Sequence, residues 1–207
     1  RAIACAELDI PLVHISTDYV FKGTGVIPWN TTDKPSPQNA YGRSKLQGEN
    51  AIEASGCDYA ILRTSWVVSS NGSNFVKKML RLSRTNDSLT VVNDQVGGPT
   101  CVRDIALTCI SITKQLIKNR NKTGIYHYSG QPNVSWCQFA NTIFEQIGCK
   151  TVALPILSSE YATSASRPLN SRLDCSLTES VFGVSRPYWQ KGLKEILKDL
   201  EDEYGNA

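Results

Sequence analysis

Leu12-Val13-His14-Ile15-Ser16 is a short, mostly apolar run, and Tyr59-Ala60-Ile61-Leu62-Arg63-Thr64 is a second of the same kind. Short apolar runs bounded by turn signals read as strands buried on both faces, the habit of parallel sheets. A helical pattern lies between them, over 39–55, with Asn39 as an N-cap and Gly56 as a stop. Strand, helix and strand make one βαβ unit. That unit decides the fold class, α/β with a mainly parallel sheet.

The alternation continues outward. Residues 1–8 read as the end of a helix that Pro11 stops, and a polar loop spans 17–38. After the second strand come a loop at 69–73, an amphipathic helix at 74–84 and a short strand at 89–92. The 93–100 loop takes its shape from Gly97, Gly98 and Pro99. A long helix follows over 102–119, then a strand over 124–129, a Ser135-capped helix to 147 and a brief extended piece at 152–155. The stretch 158–170 is irregular, and 176–182 and 189–203 are terminal helices. In open parallel sheets the ligand sits beyond the carboxyl ends of the strands. The loops after Ser16 and Thr64 should therefore face it.

Composition excludes several function classes. A chain of 207 residues makes one domain or a domain and a half, large enough for a real core. The net charge of +3, from 22 basic and 19 acidic residues, is too small and too scattered for a nucleic-acid surface. The one basic cluster, Lys118-Asn119-Arg120-Asn121-Lys122, reads as the solvated end of a helix. No apolar run approaches the ~20 residues that span a bilayer, so no membrane partner is expected. Glu7 and Asp9 interrupt the N-terminal apolar stretch too early for a signal peptide. Seven cysteines without a C-x-x-C pair then imply reduced thiols in the cytoplasm. His14 and His127 lie in apolar segments and read as strand or core positions rather than metal ligands, and no metal is expected.

Tyr41 and Lys45, in Tyr41-Gly42-Arg43-Ser44-Lys45, are four apart on the predicted helix and share a face. An ammonium beside a phenol favours the phenolate, and a position in the first turn adds the helix dipole. A phenol so tuned can act as a general acid toward a carbonyl under reduction. The spacing alone is common in helices. Thr17 adds a hydroxyl at the end of a parallel strand, suited either to a substrate carbonyl oxygen or to capping the strand end. Trp66, directly after the second strand, suits a pocket wall or a core position.

Together, Ser16-Thr17-Asp18-Tyr19-Val20-Phe21-Lys22-Gly23 and Tyr41-Gly42-Arg43-Ser44-Lys45-Leu46-Gln47-Gly48-Glu49 resemble the extended short-chain dehydrogenase/reductase family. Leu62-Arg63-Thr64-Ser65-Trp66-Val67, Asn74-Phe75-Val76, Asn93-Asp94-Gln95-Val96-Gly97-Gly98-Pro99-Thr100 and Ser166-Arg167-Pro168-Leu169-Asn170-Ser171-Arg172-Leu173 narrow the resemblance to its dTDP-4-dehydrorhamnose reductases. These motifs cover nearly the whole chain in the right order. Val68 and Gly98 depart from the pattern, standing where an aromatic and a small non-glycine residue are expected.

The resemblance implies a Rossmann-like doubly wound parallel sheet, its first half missing, with a small C-terminal α/β substrate-binding subdomain. Residues 1–65 would belong to the dinucleotide-binding domain. Residues 66–207 would be mainly the sugar-nucleotide region, with segments of about 89–129 returning to the sheet. The implied reaction is reduction by NADPH or NADH of a dTDP-4-keto-6-deoxy sugar, taking dTDP-4-dehydro-L-rhamnose to dTDP-L-rhamnose. Tyr41 would donate the proton. Lys45 would hold the nicotinamide ribose and tune Tyr41, so that both touch cofactor. Thr17 would complete the catalytic set and touch the sugar, with Asp18 beside it. Trp66 would pack on the sugar ring. Arg167 would grip the diphosphate, although an ordinary surface role suits it equally.

Two alternatives stay open, an epimerase or dehydratase on the same scaffold and a non-catalytic regulatory relative, and a homodimer is a possible assembly for any of them. Dehydratases place Thr-Asp-Glu at the threonine, and Tyr19 after Asp18 argues against that chemistry here. No G-x-G-x-x-G occurs, and Gly23-Thr24-Gly25 precedes no helix. The turn that receives a pyrophosphate is therefore expected upstream of Arg1, and residues 1–207 alone are expected to be inactive.

Overall fold

The computed structural model describes residues 1–161 and 166–204. Helix α1 (Ala2–Glu7) leads into strand β1 (Leu12–Thr17), which ends in a 3-10 turn at Asp18–Val20. Helix α2 (Ala40–Glu53) starts where the Asn39 side chain accepts the Gly42 N–H at 2.8 Å. Such a cap stabilises a helix by about 1 kcal/mol. Strand β2 (Tyr59–Thr64) follows Gly56, whose φ of 74° only glycine adopts readily. Next come β3 (Val67–Val68), α3 (Phe75–Ser83), β4 (Ser88–Val92), β5 (Val96–Gly97) and β6 (Thr100–Cys101). Helix α4 (Val102–Lys118), β7 (Gly124–His127), β8 (Val134–Ser135) and α5 (Trp136–Gln146) follow, α5 opening on a Ser135–Gln138 capping box. The chain ends with β9 (Val152–Ile156), β10 (Asn170–Ser171), α6 (Ser176–Phe182) and α7 (Trp189–Tyr204). Within the irregular stretch 158–170, residues 162–165 lie outside the described residues.

The central sheet has the order β1-β2-β7, all parallel. Leu12 pairs with Tyr59 and Thr17 with Thr64, so both loops named above leave at the same, carboxyl edge. Strand β2 is buried on both faces. Ala60 and Leu62 meet Ile105, Ile112 and Leu116 of α4, while Ile61 meets Ile52 of α2. That sandwich is why the strand reads as continuous apolar sequence. Ile61 and Leu62 are fully buried, and each contributes about 1.5–3 kcal/mol.

A second body packs behind it. Strands β4 and β9 pair in parallel, Ser88 with Val152 and Val92 with Ile156. Their core joins Val76 and Met79 of α3, Phe139, Ile143 and Phe144 of α5, and Leu193 and Ile196 of α7. Within 89–129, then, α4 and β7 join the central sheet, whereas β4 pairs with β9. Val68 is a buried member of this second core. A Cβ at Gly98 would lie 2.1 Å from the Gly130 carbonyl oxygen, so the larger residue of the family pattern has no room there.

Candidate active site

The carboxyl end of β1 is built from buried polar groups. Thr17 accepts the Tyr19 N–H at 3.2 Å, which starts the 3-10 turn, and donates to Asp18 Oδ1 at 3.1 Å. The hydroxyl thus caps the strand end and keeps one lone pair free. To donate to a substrate oxygen it must let go of Asp18. Asp18 is almost fully buried, and burial raises its carboxyl to about 6 against the pull of hydrogen bonding to Ser171 and Thr17. Among the described residues, no hydrogen bond of good geometry reaches its Oδ2.

Helix α2 rests on that turn. A Cβ at Gly42 would lie 2.2 Å from the Tyr19 carbonyl oxygen, so glycine is required for the approach. Tyr41, 55% exposed, stands edge-on to Tyr19, with ring centroids 5.5 Å apart. Lys45 Nζ donates to the Ile15 carbonyl at 2.6 Å and lies 3.5 Å from His14 Nε2. Burial and the Lys45 charge lower the His14 pKa. Tyr41, Lys45 and Glu49 recur every four residues, and the last two reach β1. Among the described residues, no hydrogen bond joins the Tyr41 hydroxyl to Thr17 or Lys45.

A cavity of about 870 Å³ lies between α3 and β4, lined by Lys77, Arg81, Gln95, Trp136, Tyr161 and Arg167 among others. Trp66 reaches it indirectly. Its indole stacks on Trp136 at 3.5 Å, and its φ of 48° is unusual for a bulky residue. Gly97 leaves space for that indole, which would lie 2.9 Å from a Cβ. Arg167 is exposed, and its charge pulls the Tyr19 pKa down against the raising effects of burial and Asp18. Arg167 therefore lies on the cavity and near enough to act on the ring that touches Tyr41. Its segment is fastened by Asn39 Nδ2 donating to Ser166 O at 3.0 Å and by the Asn170 N–H donating to Gly23 O at 2.9 Å.

Sequence reading overlooked Trp136, Ser171 and the buried Glu49–Arg63 pair. Only Glu49 carried a local signal, its place four residues after Lys45. Among the described residues no cluster is arranged to hold a metal, and no helix is long and apolar enough to cross a membrane. Lys45 spends one of its three ammonium donors on Ile15, and the donors that remain, with the exposed Tyr41 hydroxyl, suit the hydroxyls of a ribose.

A parallel sheet with a threonine at one strand end and a Tyr-x-x-x-Lys helix laid across it is the arrangement expected of the short-chain dehydrogenase/reductase class. Within it, the chain belongs to the RmlD substrate binding domain family, whose profile matches residues 2–202. A dTDP-4-dehydrorhamnose reductase of Sinorhizobium fredii is 43% identical over 202 residues, covering 95% of this chain and 68% of the relative. The crystal structure of a dTDP-4-dehydrorhamnose reductase from Clostridium acetobutylicum superposes with TM-score 0.88 at 37% identity, covering 97% of this chain and 69% of that one. The enzyme of the same name from Bacillus anthracis, in complex with NADP, gives 0.85 at 36% identity, covering 96% and 69%.

Proposed function

We propose that this chain carries the proton donor and the sugar-nucleotide site for the NAD(P)H-dependent reduction of dTDP-4-dehydro-L-rhamnose to dTDP-L-rhamnose. The observation that carries the reading is the α2 face over β1, with Tyr41 exposed and Lys45 anchored on the Ile15 carbonyl, two residues before Thr17. NADPH or NADH would supply the hydride to C4 of the sugar, held through Tyr41 and Lys45. Tyr41 would give the proton to the oxygen of the former ketone. Thr17 would steady that oxygen after exchanging its bond to Asp18. Lys45 is held by Ile15, so its position does not depend on ligand.

The cavity is the place for the sugar nucleotide. Lys77, Arg81 and Arg167 supply cationic donors suited to a diphosphate. Trp136, braced by Trp66, offers a flat apolar wall. Residues 1–65 form the reductive half of the site and 66–207 mainly the substrate half, with α4 and β7 supporting the central sheet. The seven unpaired thiols favour a cytoplasmic setting. Sedimentation would decide whether the assembly is a homodimer.

The test is Tyr41→Phe in the protein as its gene encodes it. Turnover should fall about 10²- to 10⁴-fold, the usual worth of a general acid, with sugar-nucleotide binding nearly intact. Near-normal turnover would sink the assignment. Product analysis by NMR separates reduction from epimerisation or dehydration.

A further inference from the structure

A carboxylate and a guanidinium lie deep inside this fold, where an apolar pair would serve stability at least as well. Glu49 and Arg63 have side chains 1% and 2% exposed. Arg63 Nη2 donates to Glu49 Oε2 at 2.6 Å, and its Nε donates to both carboxylate oxygens at 3.0 and 3.2 Å. The Ser16 hydroxyl donates to the same carboxylate. Ser16 and Arg63 are register partners on β1 and β2, so Glu49 straddles the seam between those strands. Ser16 directly precedes Thr17. Glu49 follows Lys45 by four residues and Tyr41 by eight, on one helix face.

We infer that Glu49, clamped by Ser16 and Arg63, is the positioning residue that sets the Tyr41–Lys45 helix in register with Thr17. The inference rests on the reaction proposed above. Apolar contacts between a helix and a sheet are non-directional and tolerate small slides. A bidentate charged pair is directional, and it fixes both the rotation and the axial position of α2. From Glu49 to Tyr41 is about 12 Å along the helix axis, at 1.5 Å per residue. Any slide of α2 at Glu49 is passed to Tyr41 by the rigid helix.

The clamp reaches the substrate side as well. The Arg63 guanidinium lies 5.0 Å from the Phe21 ring centroid, and Phe21 stacks on Trp29 at 4.9 Å. Trp29 Nε1 donates to the Asn170 carbonyl at 3.1 Å. Asn170 belongs to the segment that carries Arg167 and Ser171, so one ion pair indexes three sequence-distant parts of the site to each other. Glu49 touches neither Thr17 nor Tyr41, and its effect on the reaction is exerted through the backbone that carries them.

The experiment compares wild type, Glu49→Gln and Ser16→Ala in the protein as its gene encodes it, with dTDP-4-dehydro-L-rhamnose and NADPH. A displacement of about 1 Å costs on the order of 10²-fold in rate. Glu49→Gln should lower kcat about 10- to 100-fold, and Ser16→Ala about 3- to 10-fold, with KM within about threefold. Proton delivery then limits turnover, so the solvent deuterium isotope effect on kcat should rise in both. Hydrogen exchange over residues 40–47 should quicken in Ser16→Ala relative to α7. A kcat that merely tracks the folded fraction, with a wild-type isotope effect and wild-type exchange, would overturn the inference. Should Glu49→Gln fail to fold, Ser16→Ala decides, since it leaves the ion pair in place. Lack of wild-type turnover would overturn the reaction assigned, while the exchange measurement still judges the clamp.

Discussion

Replacing Gly42 by alanine adds one methyl group at the tightest point of the site. The new Cβ would lie 2.2 Å from the Tyr19 carbonyl oxygen and 2.9 Å from Pro37 Cβ. Real Cβ atoms keep at least 3.0 Å, so the first turn of α2 must lift by at least about 0.8 Å. Tyr41 is the preceding residue and moves with it. The stability effect is modest, because two terms oppose. Overpacking costs about 1–3 kcal/mol, and alanine returns up to about 1 kcal/mol of helix propensity over glycine. With the full return the net loss is about 2 kcal/mol at most, which corresponds to about 4–8 °C in Tm for a chain of this size. The kinetic effect is larger, since a displacement near 1 Å costs about 10²-fold in rate. The assay is steady-state reduction of dTDP-4-dehydro-L-rhamnose beside a thermal melt. Gly48→Ala is the control on the same helix. Its Cβ would meet only His14 Nε2, at an ordinary 3.9 Å. It should keep wild-type kcat and melt slightly higher. A Gly42→Ala enzyme within about threefold of wild type, or a Gly48→Ala enzyme equally impaired, would refute the reasoning.

Two further predictions concern buried charge. Arg63→Met alone strands the Glu49 carboxylate and should cost about 3–5 kcal/mol in urea unfolding, whereas Arg63→Met with Glu49→Leu should regain most of that stability without regaining kcat. A double variant no more stable than the single would show that the pair itself holds the fold. Asp18 titrates at about 6 when folded and at 3.8 as a free side chain. Its protonated form is therefore the stabilising one. That contribution is complete below about pH 4 and is lost as the pH rises through 6. The gap of about two pH units corresponds to about 3 kcal/mol, so Asp18→Asn should raise the unfolding free energy by up to that amount at pH 8 and by little at pH 4. An equal gain at both pH values would refute the burial argument.

Much of the fold was legible because its signals are local. The cap at Asn39, the stop at Gly56 and the apolar run of β2 each act within a few residues of chain, and the helix and strand bounds follow from them. The two-residue strands were not legible. A pair such as β3 with β6 is too short to show a period, and its partner lies over thirty residues away. The pairing of β4 with β9 was hidden for the same reason, since nothing in either strand names the other.

The site divides along the same line. Tyr41 and Lys45 sit on one helix face because α-helical geometry puts residues four apart side by side, and that much the sequence by itself determined. Thr17 at a strand end, and the α/β class, follow from equally local patterns. Only the tertiary structure decided that Lys45 is held by Ile15, that Trp66 stacks on Trp136, and that Glu49 meets Ser16 and Arg63. Each of those contacts joins residues from separate elements. Their distance in space is set by packing the helix on the sheet, a sum of many weak non-directional contacts that no short stretch of sequence encodes.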